Sequence, residues 1–348
     1  MKKIIAIICA LTLVLALAAC GGSSAPAATE APAEAPAEAP AEVEAPAEAP
    51  AEEAVVYSVG ICQLVQHPAL DAASQGFQDK LTELLGGNVE FNYQNASGDA
   101  ATCSVIVNQF VSDGVDLIMA NATASLQAAA AATNQIPILG TAITAYNVAL
   151  DVPADEWPGY SGTNISGTSD LAPLDEQAAM LSEWFPVEEY PNVGLIYCSG
   201  EPNSIYQVTV VRAELEAMGY NVTDYSFADT NDLAAVTANA VGECDVLYVP
   251  TDNAAASATE SINNVALPAG VPIIAGEEGI CQGCGVATLS ISYYDLGVST
   301  AEMAYEILVN GADVSTMEIG YAPVTYKYNP VNCEALSLTA PEGYEAIE

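Results

Sequence analysis

Residues 57–85 read YSVGICQLVQHPALDAASQGFQDKLTELL, and residues 193–218 read VGLIYCSGEPNSIYQVTVVRAELEAM. Each is the same composite: a short β-rich apolar run, a polar loop, and a longer stretch with helical spacing. Apolar runs of this length, alternating with helices, predict parallel strands buried on both faces. Working outward, strands are expected at 57–62, 89–93, 115–120 and 136–140, and a second series at 193–198, 221–227, 246–250 and 272–275. Helices are expected at 69–85, 104–112, 125–133, 175–185 and 206–218. The series occurs twice with a similar element order. That implies an α/β protein of two doubly wound parallel-sheet lobes joined by a hinge.

In open parallel sheets a ligand sits beyond the carboxyl ends of the strands, on the loops that enter the helices. Two lobes facing each other through those loops make a cleft that closes over a solute. The loops concerned are unusually polar. Gln63 and His67 follow the first strand, Ala122 and Thr123 the third, Thr141 the fourth. In the second series the equivalents are Asn203 and Ser204, then Asp252 and Asn253, then Glu277. Ser, Thr and Asn at helix starts are also ordinary caps, and capping remains the competing role for Asp252. A partly buried carboxylate next to few cations suits a substrate ammonium, so Asp252 is the candidate partner for one. His67, the single histidine, opens a helix at the cleft and is either a ligand contact or a structural ring. Asn203, Ser204 and the helix start at Ala122 and Thr123 are candidates to meet a carboxylate. Leu64 and Tyr294 are candidates to sandwich an apolar side chain.

The ends and the charge bound the class. Lys2 and Lys3, an apolar run over 4–16, and Leu17-Ala18-Ala19-Cys20 read as an export signal over 1–19, too short to span a bilayer. The small residues before Cys20 resemble the lipobox of bacterial lipoproteins, in which that cysteine receives the lipid. Residues 20–54 then form an Ala/Pro/Glu-rich linker, expected to be extended and disordered. Without 1–19 the bases are Lys80, Arg212 and Lys327 against 45 acids, a formal net charge of −42. No basic patch can be assembled from three scattered cations, which excludes nucleic acid and charge-driven binding to anionic lipid. A monomer anchored to the outer face of the membrane by lipid alone is expected.

Cys62, Cys103, Cys198, Cys244, Cys281, Cys284 and Cys333 are odd in number and mostly lie in apolar runs. They read as small hydrophobes rather than a disulfide framework. Cys281 and Cys284 have no second pair nearby to complete a zinc site, and free thiols or a labile disulfide are expected, with no metal. Residues 229–232 read as a turn and helix cap. The chain has no Gly-x-Ser-x-Gly elbow and no Gly-Lys-Ser/Thr phosphate loop. An enzyme is therefore not expected, although a carboxylate-dependent hydrolase is the remaining catalytic alternative. No cofactor is called for.

Six segments together resemble one family: VGICQLVQHPALDAASQGFQDKL, VEFNYQNASGD, NISGTSDL, VGLIYCSGEPNS, VLYVPTDNAAAS and ISYYDLGVSTAEMAYEIL. In this order they are similar to ABC transporter substrate-binding proteins of the tryptophan/tyrosine-transport type. The resemblance implies a type I periplasmic-binding fold with crossovers near 162–170 and 290–294. It divides the chain into a first lobe of 55–166 and 293–330 and a second of 167–292. It further implies capture of a small solute, an amino acid with an aromatic one favoured, for a permease and its ATPase. A sensor that presents the same kind of ligand to a membrane receptor is the alternative. The chain departs from the family at 144–147, Thr-Ala-Tyr-Asn where relatives often carry Asp-Pro, and at 280–284, where relatives are basic.

Overall fold

The computed structural model describes residues 55–348; the expected export signal, Cys20 and linker lie outside the described residues. The first lobe opens with β1 (Tyr57–Gln63), α1 (Pro68–Leu84), β2 (Val89–Asn95), α2 (Ala100–Asp113), β3 (Leu117–Asn121), α3 (Thr123–Ala132), β4 (Ile138–Thr141), α4 (Tyr146–Ala149) and β5 (Ile165–Ser169). The second follows with α5 (Leu174–Trp184), β6 (Asn192–Cys198), α6 (Pro202–Ala217), β7 (Asn221–Phe227), α7 (Leu233–Val241), β8 (Val246–Val249), α8 (Asn253–Ala256), α9 (Thr259–Ala269), β9 (Ile273–Ala275), α10 (Glu278–Cys284) and β10 (Ala287–Ile291). The chain then returns through α11 (Tyr293–Leu308) and β11 (Gly320–Tyr321), and ends with β12 (Val324–Tyr328), α12 (Pro330–Ala335) and β13 (Glu345–Ala346).

The strands form two sheets, ordered β11-β5-β4-β3-β1-β2 and β13-β12-β10-β9-β8-β6-β7. Each contains the same parallel run, in which the first strand of the lobe sits between its second and third. Both sheets are thus doubly wound, and this is a type I periplasmic-binding-like fold. β1 and β3 are buried along nearly their whole length, as a sheet covered on both faces requires. α1 and α11 cover the first sheet together, and α7, α9 and α10 cover one side of the second.

The lobe boundaries differ from the expectation in two places. β5 runs to Ser169 in the first sheet, so a boundary after residue 166 would cut that strand. β12 pairs antiparallel with β10 and belongs to the second sheet, not the first. The chain therefore crosses between lobes three times: after β5, after β10, and between β11 and β12. β5 (ISGTS) is polar in sequence yet wholly buried. Its hydroxyls are satisfied internally, Thr168 Oγ1 lying 2.8 Å from Thr300 Oγ1 and Ser166 Oγ donating to the Met317 carbonyl at 3.0 Å. That pairing is what allows a Ser/Thr-rich strand to lie inside.

All seven cysteines among the described residues are buried and unbridged, Cys281 and Cys284 included. Asp229 caps the turn at 230–232 by accepting from the Asn231 amide at 2.8 Å. No helix of the described residues is long and apolar enough to cross a membrane.

Candidate functional site

The carboxyl ends of the two sheets enclose a narrow cavity of about 10 Å³, room for a single water molecule. From the first lobe it is lined by His67 and Leu70 at the start of α1, Ala142 and Thr144 after β4, and Asp170 after β5. From the second come Asn203, Thr251, Asp252, Asn253, Ala256 and Glu277, and Tyr293 at the start of α11 closes the hinge side. All the lining residues except Ala256, which ends the short α8, follow a strand or open a helix, which is where the doubly wound fold puts a ligand.

Three carboxylates line this cavity, and no lysine or arginine does. The described cations are paired on the surface: Lys80 with Glu83, Arg212 with Glu216 and Asp224, and Lys327 with Glu278. The three acids differ in how they are held. Asp252 caps α8, its Oδ1 accepting from the Ala255 amide at 2.8 Å and its Oδ2 from the Cys198 amide at 2.6 Å. Glu277 caps α10 by accepting from the amides of Gly279 (2.6 Å) and Ile280 (2.5 Å). Asp170 accepts at Oδ2 from the Tyr293 hydroxyl at 2.8 Å, while its buried Oδ1 has no partner among the described residues. Burial pushes the Asp252 carboxyl up to about 7, with Glu201 adding to it. Burial also lifts Glu277 to about 7 and raises Asp170, the Tyr293 hydroxyl offsetting part of the latter. A site of this kind is built to receive a cation.

His67 joins the two lobes. Its Nε2 lies 3.2 Å from Asn253 Oδ1, and its buried Nδ1 has no partner among the described residues. Burial pulls its pKa below the usual histidine value, so the ring is held neutral. α1 begins with Pro68 and has no side-chain cap, and α6 begins with Pro202 and likewise has none. His67 and Leu70 at the start of α1, and Asn203 at the start of α6, line the cavity, while the Ser204 and Ile205 amides of α6 are already taken by the Glu201 carbonyl at 3.1 Å.

Of the residues singled out in sequence, His67, Asn203, Asp252, Asn253 and Glu277 line the cavity. The others do not. Gln63 is fully buried and shapes the loop after β1, donating to Asp71 Oδ1 at 2.6 Å and accepting from Ser74 Oγ at 2.7 Å. Thr141 Oγ1 pairs with Thr168 Oγ1 at 3.2 Å. Ala122, with φ of 84°, and Thr123 are buried beside the site, and Ser204 is buried behind Asn203. Leu64 lines a separate groove of the cleft mouth together with Cys198, Gly200 and Glu201. Tyr294 faces outward, 43% exposed, and its hydroxyl donates to Asp79 Oδ2 at 3.1 Å. Neighbouring Tyr293 takes the cavity position instead. Successive helical residues point about 100° apart, and a Tyr-Tyr pair does not announce which member turns inward. Thr251 was visible as a polar residue following a strand, whereas Asp170 was hidden because β5 itself was not expected as a strand.

A family model described as ABC transporter substrate binding protein matches residues 58–337. A protein of Clostridioides difficile (strain R20291) named tyrosine-binding protein is 36% identical over 271 residues, 77% of this chain and 75% of that one. Among solved structures, an ABC domain from Streptococcus pneumonia in complex with L-Trp has a TM-score of 0.77 at 28% identity, covering 84% of this chain and 100% of that one. A ligand-free, open substrate-binding protein with adhesive properties from Clostridium difficile is more similar in sequence, at 35%, yet has a TM-score of 0.63, covering 84% and 99%. In the present chain residues of both lobes line one cavity, and His67 of the first lobe meets Asn253 of the second across it, so the lobes stand closed on each other.

Proposed function

The chain belongs to the ABC transporter substrate-binding protein family, and we propose that its cavity captures an α-amino acid, with an aromatic side chain favoured, for a membrane permease and its ATPase. Substrate-binding proteins of ABC importers work outside the cytoplasm and are binding proteins rather than enzymes. The observation that carries the ligand class is the unpartnered Oδ1 of Asp170, inside a cavity with three carboxylates and no lysine or arginine. An ammonium is the group that satisfies it. The ligand carboxylate, with no cation to meet it, goes to neutral donors at the uncapped first turn of α1. Leu70 and Tyr293 receive the side chain. The printed ligands of the relatives, tyrosine for one and L-Trp for another, support the aromatic choice. The cavity is narrow as it stands, so the lobes part to admit a ring of that size.

Cys20 carries the lipid that tethers the protein, as a monomer, to the outer face of the membrane. The sequence Leu17-Ala18-Ala19-Cys20 after an apolar run supports this. The protein is expected in the membrane fraction, and the Cys20→Ala variant in the soluble fraction; equal membrane association of both would remove the anchor.

Calorimetric titration with tyrosine, tryptophan, phenylalanine and a panel of sugars and nucleosides tests the ligand. Saturable binding of an aromatic amino acid without chemical change is the expected result. Binding of a sugar with none of the amino acids would refute the reading.

A further inference from the structure

Asn253 is held by a carboxylate on one side and a histidine on the other, and this arrangement decides where the single ring proton of His67 resides. Asn253 Nδ2 donates to Glu201 Oε2 at 2.8 Å, and the Asn253 backbone amide donates to the same oxygen at 3.0 Å. The Ala254 amide donates to Glu201 Oε1 at 2.8 Å. A carboxylate only accepts, so the side-chain amide cannot be turned over without setting its oxygen against Glu201. Asn253 Oδ1 therefore faces His67, and as an acceptor it requires a proton on Nε2, 3.2 Å away. The ring is neutral, so Nδ1 keeps its lone pair.

That lone pair has no ordinary use. His67 sits at the N-cap of α1, where a ring nitrogen could accept from the first turn, yet its side chain makes no capping hydrogen bond. Nδ1 is buried without a partner, His67 is 6% exposed, and the residue lines the cavity. A buried acceptor left open costs free energy unless something fills it. We propose that His67, its tautomer set by Asn253 and Glu201 of the opposite lobe, is a specificity-determining residue that accepts a hydrogen bond at Nδ1 from an N–H or O–H donor of the bound ligand. The proposal rests on the amino-acid reading for the ligand but not for the tautomer. The same ring thus bridges the lobes through Nε2 and reads the ligand through Nδ1. A ligand lacking a donor at that point leaves Nδ1 unpaired in the closed form and is discriminated against.

His67 is the only histidine in the chain, so nitrogen NMR of the full chain labelled at histidine with ¹⁵N reports this ring alone. In protein closed over a saturating ligand at neutral or higher pH, Nε2 is expected to carry the proton, donated to Asn253 Oδ1, and Nδ1 to carry none of its own; a ring proton on Nδ1 would overturn the proposal. Saturation with L-tyrosine and, separately, with L-phenylalanine is expected to move the Nδ1 resonance while Nε2 stays protonated. A shift with both assigns the donor to the ligand ammonium, and a shift with tyrosine alone to its phenol. Demonstrated binding with Nδ1 unmoved would overturn the proposal. His67→Gln keeps reach to Asn253 but lacks Nδ1, and is expected to weaken L-tyrosine by roughly ten- to a hundredfold. If no aromatic amino acid binds, the ligand reading fails, and the tautomer is then read in protein saturated with whichever sugar or nucleoside of the panel does bind.

Discussion

Asp252 and Asp170 are chemically identical side chains given opposite tasks by their hydrogen bonds. Asp252 has both oxygens occupied by backbone amides, whereas Asp170 has one oxygen open. Asp170→Asn is accordingly expected to cost about 2–5 kcal/mol of affinity for an amino acid while leaving the fold intact, because it leaves a buried ammonium without its counter-charge. Asp252→Asn is expected instead to lower the melting temperature, losing about 1–3 kcal/mol of stability with the cap of α8 and its bond to β6. Calorimetry and thermal melts on the two variants distinguish these cases; a larger affinity loss at Asp252 would reverse the assignment. In sequence the two were not equally legible. Asp252 follows an obvious apolar strand, whereas Asp170 follows one made of Ser, Gly and Thr. Loop position pointed to His67, Asn203, Asp252, Asn253 and Glu277, which the structure gathers around one cavity, but which other side chains in those loops turn inward depended on packing that no local pattern encodes.

At the scale of elements, the alternation of apolar runs and helices was enough to find the first four parallel strands of each lobe. β5 and β10, which carry the crossovers, were expected only as connections, and nothing in a short run such as Val324–Tyr328 says which sheet it will join. The packing of α1 on α11 was also beyond the pattern, because it depends on two glycines. A Cβ on Gly297 would lie 2.0 Å from the Ala73 carbonyl oxygen, and one on Gly76 would lie 2.1 Å from the Tyr294 carbonyl oxygen. Both obstacles are backbone, so neither can rotate aside. Gly297→Ala must push the helices apart and is expected to destabilise by about 1–3 kcal/mol. Since α11 begins with Tyr293, the same displacement should loosen its bond to Asp170 and weaken ligand binding. Gly242→Ala, whose nearest obstacle is 3.4 Å away, is the control. A Gly297→Ala protein that melts like the control would show that the helix contact has room to spare.

For the molecule as a whole, closure brings Asp170, Asp252 and Glu277 into one cavity with no lysine or arginine beside them. Taking ionised carboxylates out of water is costly unless a cation accompanies them. On the proposed reading the ligand ammonium is that cation, and the ligand should then act as the latch between the lobes. The pH dependence follows from the sign of the shifts. Burial raises Asp252 and Glu277 from 3.8 and 4.5 to about 7 in the closed form; opening the cleft wets the cavity they line and lets both fall back, so closure favours their protonated state. Their contribution to the closed form is fully present below the ordinary carboxyl range and is lost as pH rises through about 7; Asp170 moves in the same direction. His67 acts oppositely, since its lowered value favours the neutral ring and resists closure as pH falls. Three carboxyls against one imidazole leave the acids dominant. The ligand-free protein is thus expected to be more closed near pH 5 than near pH 8, and ligand to close it most visibly at about pH 8. Every described cysteine is buried, so dyes on cysteines introduced at exposed Ser104 of α2 and Ala234 of α7 label opposite lobes selectively. Energy transfer between them should fall as ligand-free protein is taken from acid to alkaline pH and be restored by a saturating amino acid. Transfer that ignores both pH and ligand would mean that the buried carboxylates do not govern the hinge.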